Sequence, residues 1–464
     1  GKNTSFARLR RIWETTGEFW EHAKAALGDP EIVGKQKYRL ILQGQLDKSI
    51  GPSHVYDVRA GKVETSFVWD GTRLISADNL RYLAKQLNLE LPDKAGEKVI
   101  AEAVCQKLQE FKQLELYEKP SRQGRPVKVA VLSQFTARPE EHNYSPVIPL
   151  LAEPQIFIAL VPADKAMNVV THLRDEYEKQ MSKVRNRLPL HLNLLTFNRR
   201  VPLYVAMDAV RRMLDRKTNS ATQWRVAEAT NFDDSAGNLG RHAVKLKLTP
   251  TSGNQWSPQQ ISAGVSYNLG DDSKDFYYPY FFVTQANEDN ANAGRPLNQR
   301  PHHWQAIHPT HKPAAVHGFT DLVHVSELCK DDVVLYSPST FDFEHLDVAG
   351  RRFELNYDAQ SGVRIAPANR LHPATRPFLL EEIADLETVW EALKKLPGGQ
   401  RDFLARLIET KRTEWKVETA DDPVLRRFAG DALRQAGNEW WKNLDDAQRR
   451  LLEAWATNGK LADA

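Results

Sequence analysis

Two groupings of side chains in this sequence are of types that do chemistry. Six histidines, His302, His303, His308, His311, His317 and His324, fall within one stretch. Zinc would need three or four of them well placed, each oriented by a second partner. Pro301, Pro309 and Pro313 interrupt the stretch, and proline breaks a helix interior. The segment therefore reads as a polar loop that cannot present ligands at i and i+4, and no metal is expected. Carboxylates gather at Asp331 and Asp332, and again at Asp342, Glu344 and Asp347. Paired carboxylates can act as general acid and base. No nucleophile or fixed partner stands nearby in sequence, and surface turns are commonly acidic, so catalysis there is not expected.

Basic residues form clusters of a different kind. Arg185, Arg187, Arg199 and Arg200 bracket an apolar strand, and Arg211, Arg212, Arg216 and Lys217 end the helix after it. Lys411, Arg412, Arg426, Arg427, Arg449 and Arg450 lie on C-terminal helices. Phosphate contacts need such groups and little sequence specificity. The competing reading is a solvated helix face complementing the helix dipole. A formal charge of +3 creates no global field, so any nucleic-acid surface must come from local clusters. Trp440, Trp441 and Trp455 fit a helical core better than a base-stacking surface.

The elements that position these groups can be read from periodicity. A helix of about 22 residues follows the capping oxygens of Asn3, Thr4 and Ser5, with Phe6, Leu9, Ile12, Trp13, Phe19, Trp20 and Ala23 on one side. YRLILQ, VYDVRA and VETSFVWD read as strands, and KVIAEAVCQKLQEFKQLE as a helix. Residues 118–126 form a polar linker. VIPLL and IFIALV, separated by Ala152, Glu153, Pro154 and Gln155, make a hairpin. Asp164 then caps a helix with the stripe Ala166, Val169, Val170, Leu173, Tyr177 and Met181. LPLHLNLLTF is a strand. PLYVAMDAVRRMLD is a helix with the stripe Leu203, Ala206, Met207, Val210 and Leu214. Residues 218–376 lean irregularly toward β structure, and residues 377–464 are helical. Two cysteines, Cys105 and Cys329, build no disulfide framework and weakly favour a reducing cytoplasm. No apolar run approaches the roughly 18–20 residues of a membrane span, so no membrane partner is expected.

Hairpin, helix, strand, helix over residues 144–217, preceded by a strand and the N-terminal helix, predicts an α+β fold with a ferredoxin-like palm of the polymerase or cyclase type. In such palms two metals clamp a nucleotide's phosphates and need carboxylates at the first strand and the hairpin turn. The stretch VPADKAMNVVTHLRDEYEKQMSKVRNRLPLHLNLLTFNRRVPLYVAMDAVRRMLD resembles the second palm of the large signature subunit of type III CRISPR effector complexes. SFARLRRIWETTGEFW, SPSTFDFEHLD and GNEWWKNLDDAQRRLLEAW resemble the type III-D branch in particular. The resemblance implies a first palm helix in residues 1–30, an inserted α/β region in 31–143, a palm core in 144–217, a β-rich region in 218–376 and a helical domain in 377–464.

In that family the hairpin turn usually reads Gly-Gly-Asp-Asp. Ala152 and Glu153 stand at the glycines, and Pro154 and Gln155 at the metal-binding aspartates. Glu153 is one place early, so its side chain should project to the other face. The palm's first strand is expected to precede Phe6, outside this sequence, as is the family's histidine–aspartate nuclease. The resemblance therefore implies a catalytically degenerate palm with no metal or other cofactor. This chain would be a structural, RNA-contacting large subunit of a cytoplasmic antiviral ribonucleoprotein. Guide RNA, target RNA and the backbone and cap subunits would be its partners, and the neighbouring subunits would cleave target RNA. Arg185, Arg187, Arg199, Arg200, Arg211, Arg212, Arg426, Arg427, Arg449 and Arg450 are the candidate RNA contacts. The alternative is an active nucleotidyl cyclase making cyclic oligoadenylate from ATP.

Overall fold

The computed structural model describes residues 6–462 except 34–35, 62, 93–94, 119–125, 145–146, 154, 187, 199–200, 217–220, 238, 252–255, 257, 267–272, 277–278, 285–294, 306–317, 347–354, 360–361, 366–375 and 418–421. The chain is mixed α+β, with a β-rich region and C-terminal helices. It divides into two compact units, residues 20–169 and residues 1–19 with 170–464.

In the first unit, part of helix α1 (Phe6–Ala26) and the short α2 (Pro30–Val33) lead into a barrel. Its strands are β1 (Gln36–Leu46), β2 (His54–Ala60), β3 (Val63–Trp69) and β4 (Leu74–Ser76), then β5 (Gln113–Glu118) and β6 (Val127–Tyr144). They close in the order β1-β4-β3-β2-β5-β6. Alternation sends Leu40 and Leu42, Tyr56 and Val58, and Leu114 and Leu116 into one core. Helices α3 (Leu80–Gln86) and α4 (Glu97–Gln109) add Leu80, Leu83, Ile100, Val104 and Leu108 to it. A Cβ at Gly44 would lie 2.6 Å from the Phe135 Cβ. That glycine lets β1 and β6 approach where their register shifts. The helix expected from Lys98 to Glu115 ends earlier, because the period-two burial of Leu114 and Leu116 makes that stretch a barrel strand. Cys105 is buried on α4, which pushes its thiol up to about 12 and leaves it inert.

The hairpin follows as β7 (Ile148–Glu153) and β8 (Ile156–Leu160), a two-stranded sheet of its own. Trp20 stacks on Phe157 with ring centroids 5.3 Å apart. A 3-10 turn at Ala163–Lys165 then leads into α5 (Ala166–Met181). Asp164 lies within that turn and is not the helix cap. The expected α5 stripe is buried throughout: Ala166, Val169, Val170, Leu173, Tyr177 and Met181.

In the second unit, β9 (His191–Phe197) pairs in parallel with β17 (Thr340–Leu346), and β18 (Phe378–Leu379) adds antiparallel to β17. Helix α6 (Leu203–Leu214) packs on β9 through Ala206, Ala209 and Met213. The predicted α6 stripe is therefore rotated: Leu203 and Leu214 are exposed, because the two alanines allow the closer approach. Trp13, assigned to the buried side of α1, is also exposed.

The region expected to be irregular and β-rich contains a seven-stranded sheet in the order β12-β11-β10-β16-β13-β15-β14. Its members are β10 (Thr222–Asp234), β11 (Gly240–Pro250), β12 (Gln259–Gly264), β13 (Tyr280–Thr284), β14 (His303–Gln305), β15 (Asp321–His324) and β16 (Val333–Tyr336). Trp224, Val226, Leu246, Phe281, Val323 and Tyr336 fill its core.

The C-terminal helices are α7 (Ile383–Leu393), α8 (Gly398–Glu414), α9 (Pro423–Ala436), α10 (Asn438–Lys442) and α11 (Asp446–Asn458). Asp422 caps α9 by accepting from the Val424 and Leu425 amides, with Pro423 in the first turn. Asp445 and Gln448 form a capping box on α11, and Gly459 ends it at φ 85°. Trp440, Trp441 and Trp455 are buried, as expected of core residues. No helix among the described residues is long and apolar enough to cross a membrane.

Candidate nucleic-acid interface

The hairpin turn is tighter than the four residues read from sequence. Ala152 pairs with Phe157 and Glu153 with Ile156, so both belong to β7 and only Pro154 and Gln155 connect the strands. Pro154 lies outside the described residues. Glu153 and Gln155 are exposed. On β7, Ile148 and Leu150 are exposed too, so the run VIPLL is not the buried strand that its composition suggests.

The basic candidates separate sharply. Arg185 is 2% exposed, with one guanidinium nitrogen on Glu381 and another 3.2 Å from the Ser262 carbonyl. Its charge is spent inside the fold, so it is not offered to a phosphate. Arg187, Arg199 and Arg200 lie outside the described residues. Arg211 is exposed, and Arg212 is half-buried beside Asp208 at 3.6 Å. Arg449 donates to the Trp441 and Lys442 carbonyls at 3.1 and 2.9 Å, satisfying the C-terminal end of α10. It is a structural cap. Arg426, Arg427 and Arg450 are exposed. The structure thus leaves Arg211 on α6, Arg426 and Arg427 on α9 and Arg450 on α11 as the solvent-facing candidates.

The acidic groupings do have fixed partners, which their sequence neighbourhoods concealed. Asp332 is buried and holds Arg300 through two bonds of 2.6 and 2.9 Å. Asp342 is buried on β17, accepting from Arg376 Nε at 2.8 Å and from the Tyr357 hydroxyl at 2.6 Å. Glu344, two residues along the same face, pairs with Arg364. In the parallel register, Thr340 and Asp342 lie beside His191 and Asn193. Arg216 donates to the Thr340 hydroxyl at 2.6 Å, and His191 Nδ1 is 2.8 Å from the same oxygen. Asp347 lies outside the described residues.

Electrostatics fit a structural role for this cluster. Burial opposes ionisation of Asp342, but Arg376, the Tyr357 hydroxyl and Arg364 together hold its pKa below the ordinary carboxylate value. Burial, helped by the charge of Arg216, lowers His191 to about 3, so its imidazole stays neutral. Among the described residues, Arg216 Nη1, Arg364 Nη1 and Arg376 Nη2 are buried without a hydrogen-bond partner. Three guanidinium groups thus surround two carboxylates.

The histidine stretch is only partly a loop. His303 is on β14 with its Nε2 2.7 Å from Asp321, and His324 is fully buried on β15 with its Nδ1 2.7 Å from the Ser326 hydroxyl. His302 stacks on Phe276 at 4.1 Å. His308, His311 and His317 lie outside the described residues. Among the described residues, no three His, Cys, Asp or Glu side chains are grouped to hold a metal ion.

A cavity of about 300 Å³ opens beside this stretch, lined by Phe232, Asp233, Arg241, His242, Lys274 and Ser326. Sequence reading missed it. Its walls come from five separate stretches of chain, and none of its residues forms a pattern along the chain. Compared with known proteins, the chain matches no family model, and no curated protein or solved structure is significantly similar to it.

Proposed function

We propose that this chain is an RNA-contacting structural part of a type III-D CRISPR large subunit, carrying a ferredoxin-like palm whose catalytic turn is degenerate. The observation that carries the reading is the β7–β8 hairpin. It is followed by helix, strand and helix in palm order, and the sequence between its strands is Pro154 and Gln155 where a working palm needs two carboxylates. Neither side chain is an anionic oxygen ligand for magnesium. The exposed Ile148 and Leu150 on β7 are the kind of surface a neighbouring subunit covers. Guide and target RNA, held in a cytoplasmic antiviral ribonucleoprotein with backbone and cap subunits, would be the partners. Target cleavage would fall to those neighbours.

The test is a salt series on RNA binding. Neutralising Arg426, Arg427 and Arg450 together to glutamine should weaken binding equally for unrelated RNA sequences, since phosphate contacts carry no base information. The slope of log affinity against log salt should become shallower by up to about 0.7 per lost contact on single strands. Arg211→Gln provides a separate probe of the α6 end. Unchanged slopes in both variants would make these arginines solvated helix faces and remove the RNA reading.

A further inference from the structure

Phe276 and Trp304 keep 43% and 62% of their surface exposed, unusual for large rings in the β-rich region. Both are held in place. The Trp304 indole N–H donates to the Tyr280 hydroxyl at 2.9 Å, and that hydroxyl donates to the Phe276 carbonyl at 2.8 Å. His302 backs Phe276 at 4.1 Å with 18° between the ring planes. His324 stands edge-on to Tyr280 at 5.3 Å and to His302 at 6.0 Å. The rings are therefore oriented before any ligand arrives, which lowers the entropy cost of stacking on them.

The same network reaches the cavity. His324 holds Ser326 at 2.7 Å, and Ser326 lines the cavity with Arg241 and Lys274. Lys274 is also two residues from Phe276 in the chain, so the rings and the cations share one segment. Arg241 and Lys274 outweigh the single carboxylate of Asp233 on the wall. Fixed flat rings beside a cationic hollow match a ligand with aromatic faces joined by negative charges.

We propose that this surface carries single-stranded RNA, with bases stacked on Phe276 and Trp304 and a backbone phosphate at the cavity mouth near Arg241 and Lys274. Paired bases within a duplex cannot offer their faces to a side chain, so double-stranded RNA is the wrong partner. The proposal rests on the RNA-contacting reading above and adds to it the strand state and the place of contact.

The experiment measures fluorescence-anisotropy binding of a labelled 12-nucleotide oligouridylate, and of an RNA duplex of equal length, to the 464-residue chain. Trp304→Ala and Phe276→Ala alter exposed rings, and unchanged thermal unfolding verifies that each variant folds. Each should weaken single-strand binding by about 5- to 150-fold with the salt slope unchanged, whereas Trp304→Phe should retain most of it. Lys274→Gln should lower the slope by about 0.7. Wild-type binding that both ring variants match overturns this site while leaving the RNA reading intact. Preference for the duplex overturns it too. No single-strand binding by the wild type would remove both.

Discussion

The Nε of Arg376 lies 2.8 Å from Oδ1 of Asp342, and the two residues are 34 apart in sequence. The carboxylate takes a second bond from Tyr357 and feels Arg364 as well. With Glu344 it balances three guanidinium groups, some of whose nitrogens lack a partner among the described residues. Removing it would leave Arg376 and Arg216 as buried positive charges without their nearest carboxylate.

Asp342→Ala should therefore lower the unfolding free energy by about 3–5 kcal/mol, the usual cost of deleting one partner of a buried pair. Urea titration at neutral pH measures it. A loss below about 1 kcal/mol, within the range of ordinary surface substitutions and weak pairs, would mean that the guanidinium groups find other anions or water.

Within this buried cluster, two groups contribute to the acid limb of stability with the same sign. His191 binds its proton near pH 3 in the folded chain and near 6.5 when unfolded. Between those values the unfolded state holds the extra proton, so stability rises with pH and is lost as pH falls, by at most about 1.4 kcal/mol per unit. Asp342, with its folded pKa depressed, contributes stability that is complete above its unfolded value of about 3.9 and is lost as pH falls through its folded value. His191→Gln should flatten the stretch from about pH 6.5 to 4 and leave the lower limb in place. Urea midpoints taken every half unit of pH would show it. A variant with the wild-type slope would assign the acid sensitivity to other groups.

Incubation with ATP and magnesium or manganese should yield no cyclic oligoadenylate, even with target RNA bound. The reason is chemical: proline offers no ligand, and glutamine offers only a neutral carbonyl where a divalent metal needs carboxylate charge. Chromatography of the reaction products decides it. A target-dependent oligoadenylate peak that disappears in Glu153→Ala would show a rescued metal site and reverse the assignment.

A cap prediction concerns the C-terminal helices. Gly459 ends α11 with φ 85°, and a Cβ there would meet the Arg412 guanidinium at 1.7 Å. Gly459→Ala should cost about 1–2 kcal/mol for the left-handed backbone, since the Arg412 guanidinium is the movable end of a flexible side chain. Gly399→Ala, at the start of α8 where a Cβ meets nothing within 4 Å, should be close to neutral. Thermal unfolding of the two variants compares them directly. Equal midpoints would mean that α11 ends without strain.

Elements whose information is local were legible from the residues alone. The α5 stripe and the apolar hairpin runs rest on spacings of two to four residues, and such spacings hold wherever the element is placed. So was the residue type at the hairpin turn, where Pro154 and Gln155 bring no carboxylate. What required the tertiary structure was long-range pairing. The parallel register sets Thr340 beside His191 and Asp342 beside Asn193 across 149 residues. Arg300 finds Asp332, and Arg376 finds Asp342. The same limit hid the fate of the arginines. Arg185 and Arg427 look alike in sequence, but one is buried on Glu381 and the other faces solvent. The exposed pair Phe276 and Trp304 is joined through Tyr280 only when β13 and β14 lie on either side of β15. A charge or a ring has no preferred side of its own. The strand that passes beside it decides whether it is neutralised in the core or left facing water.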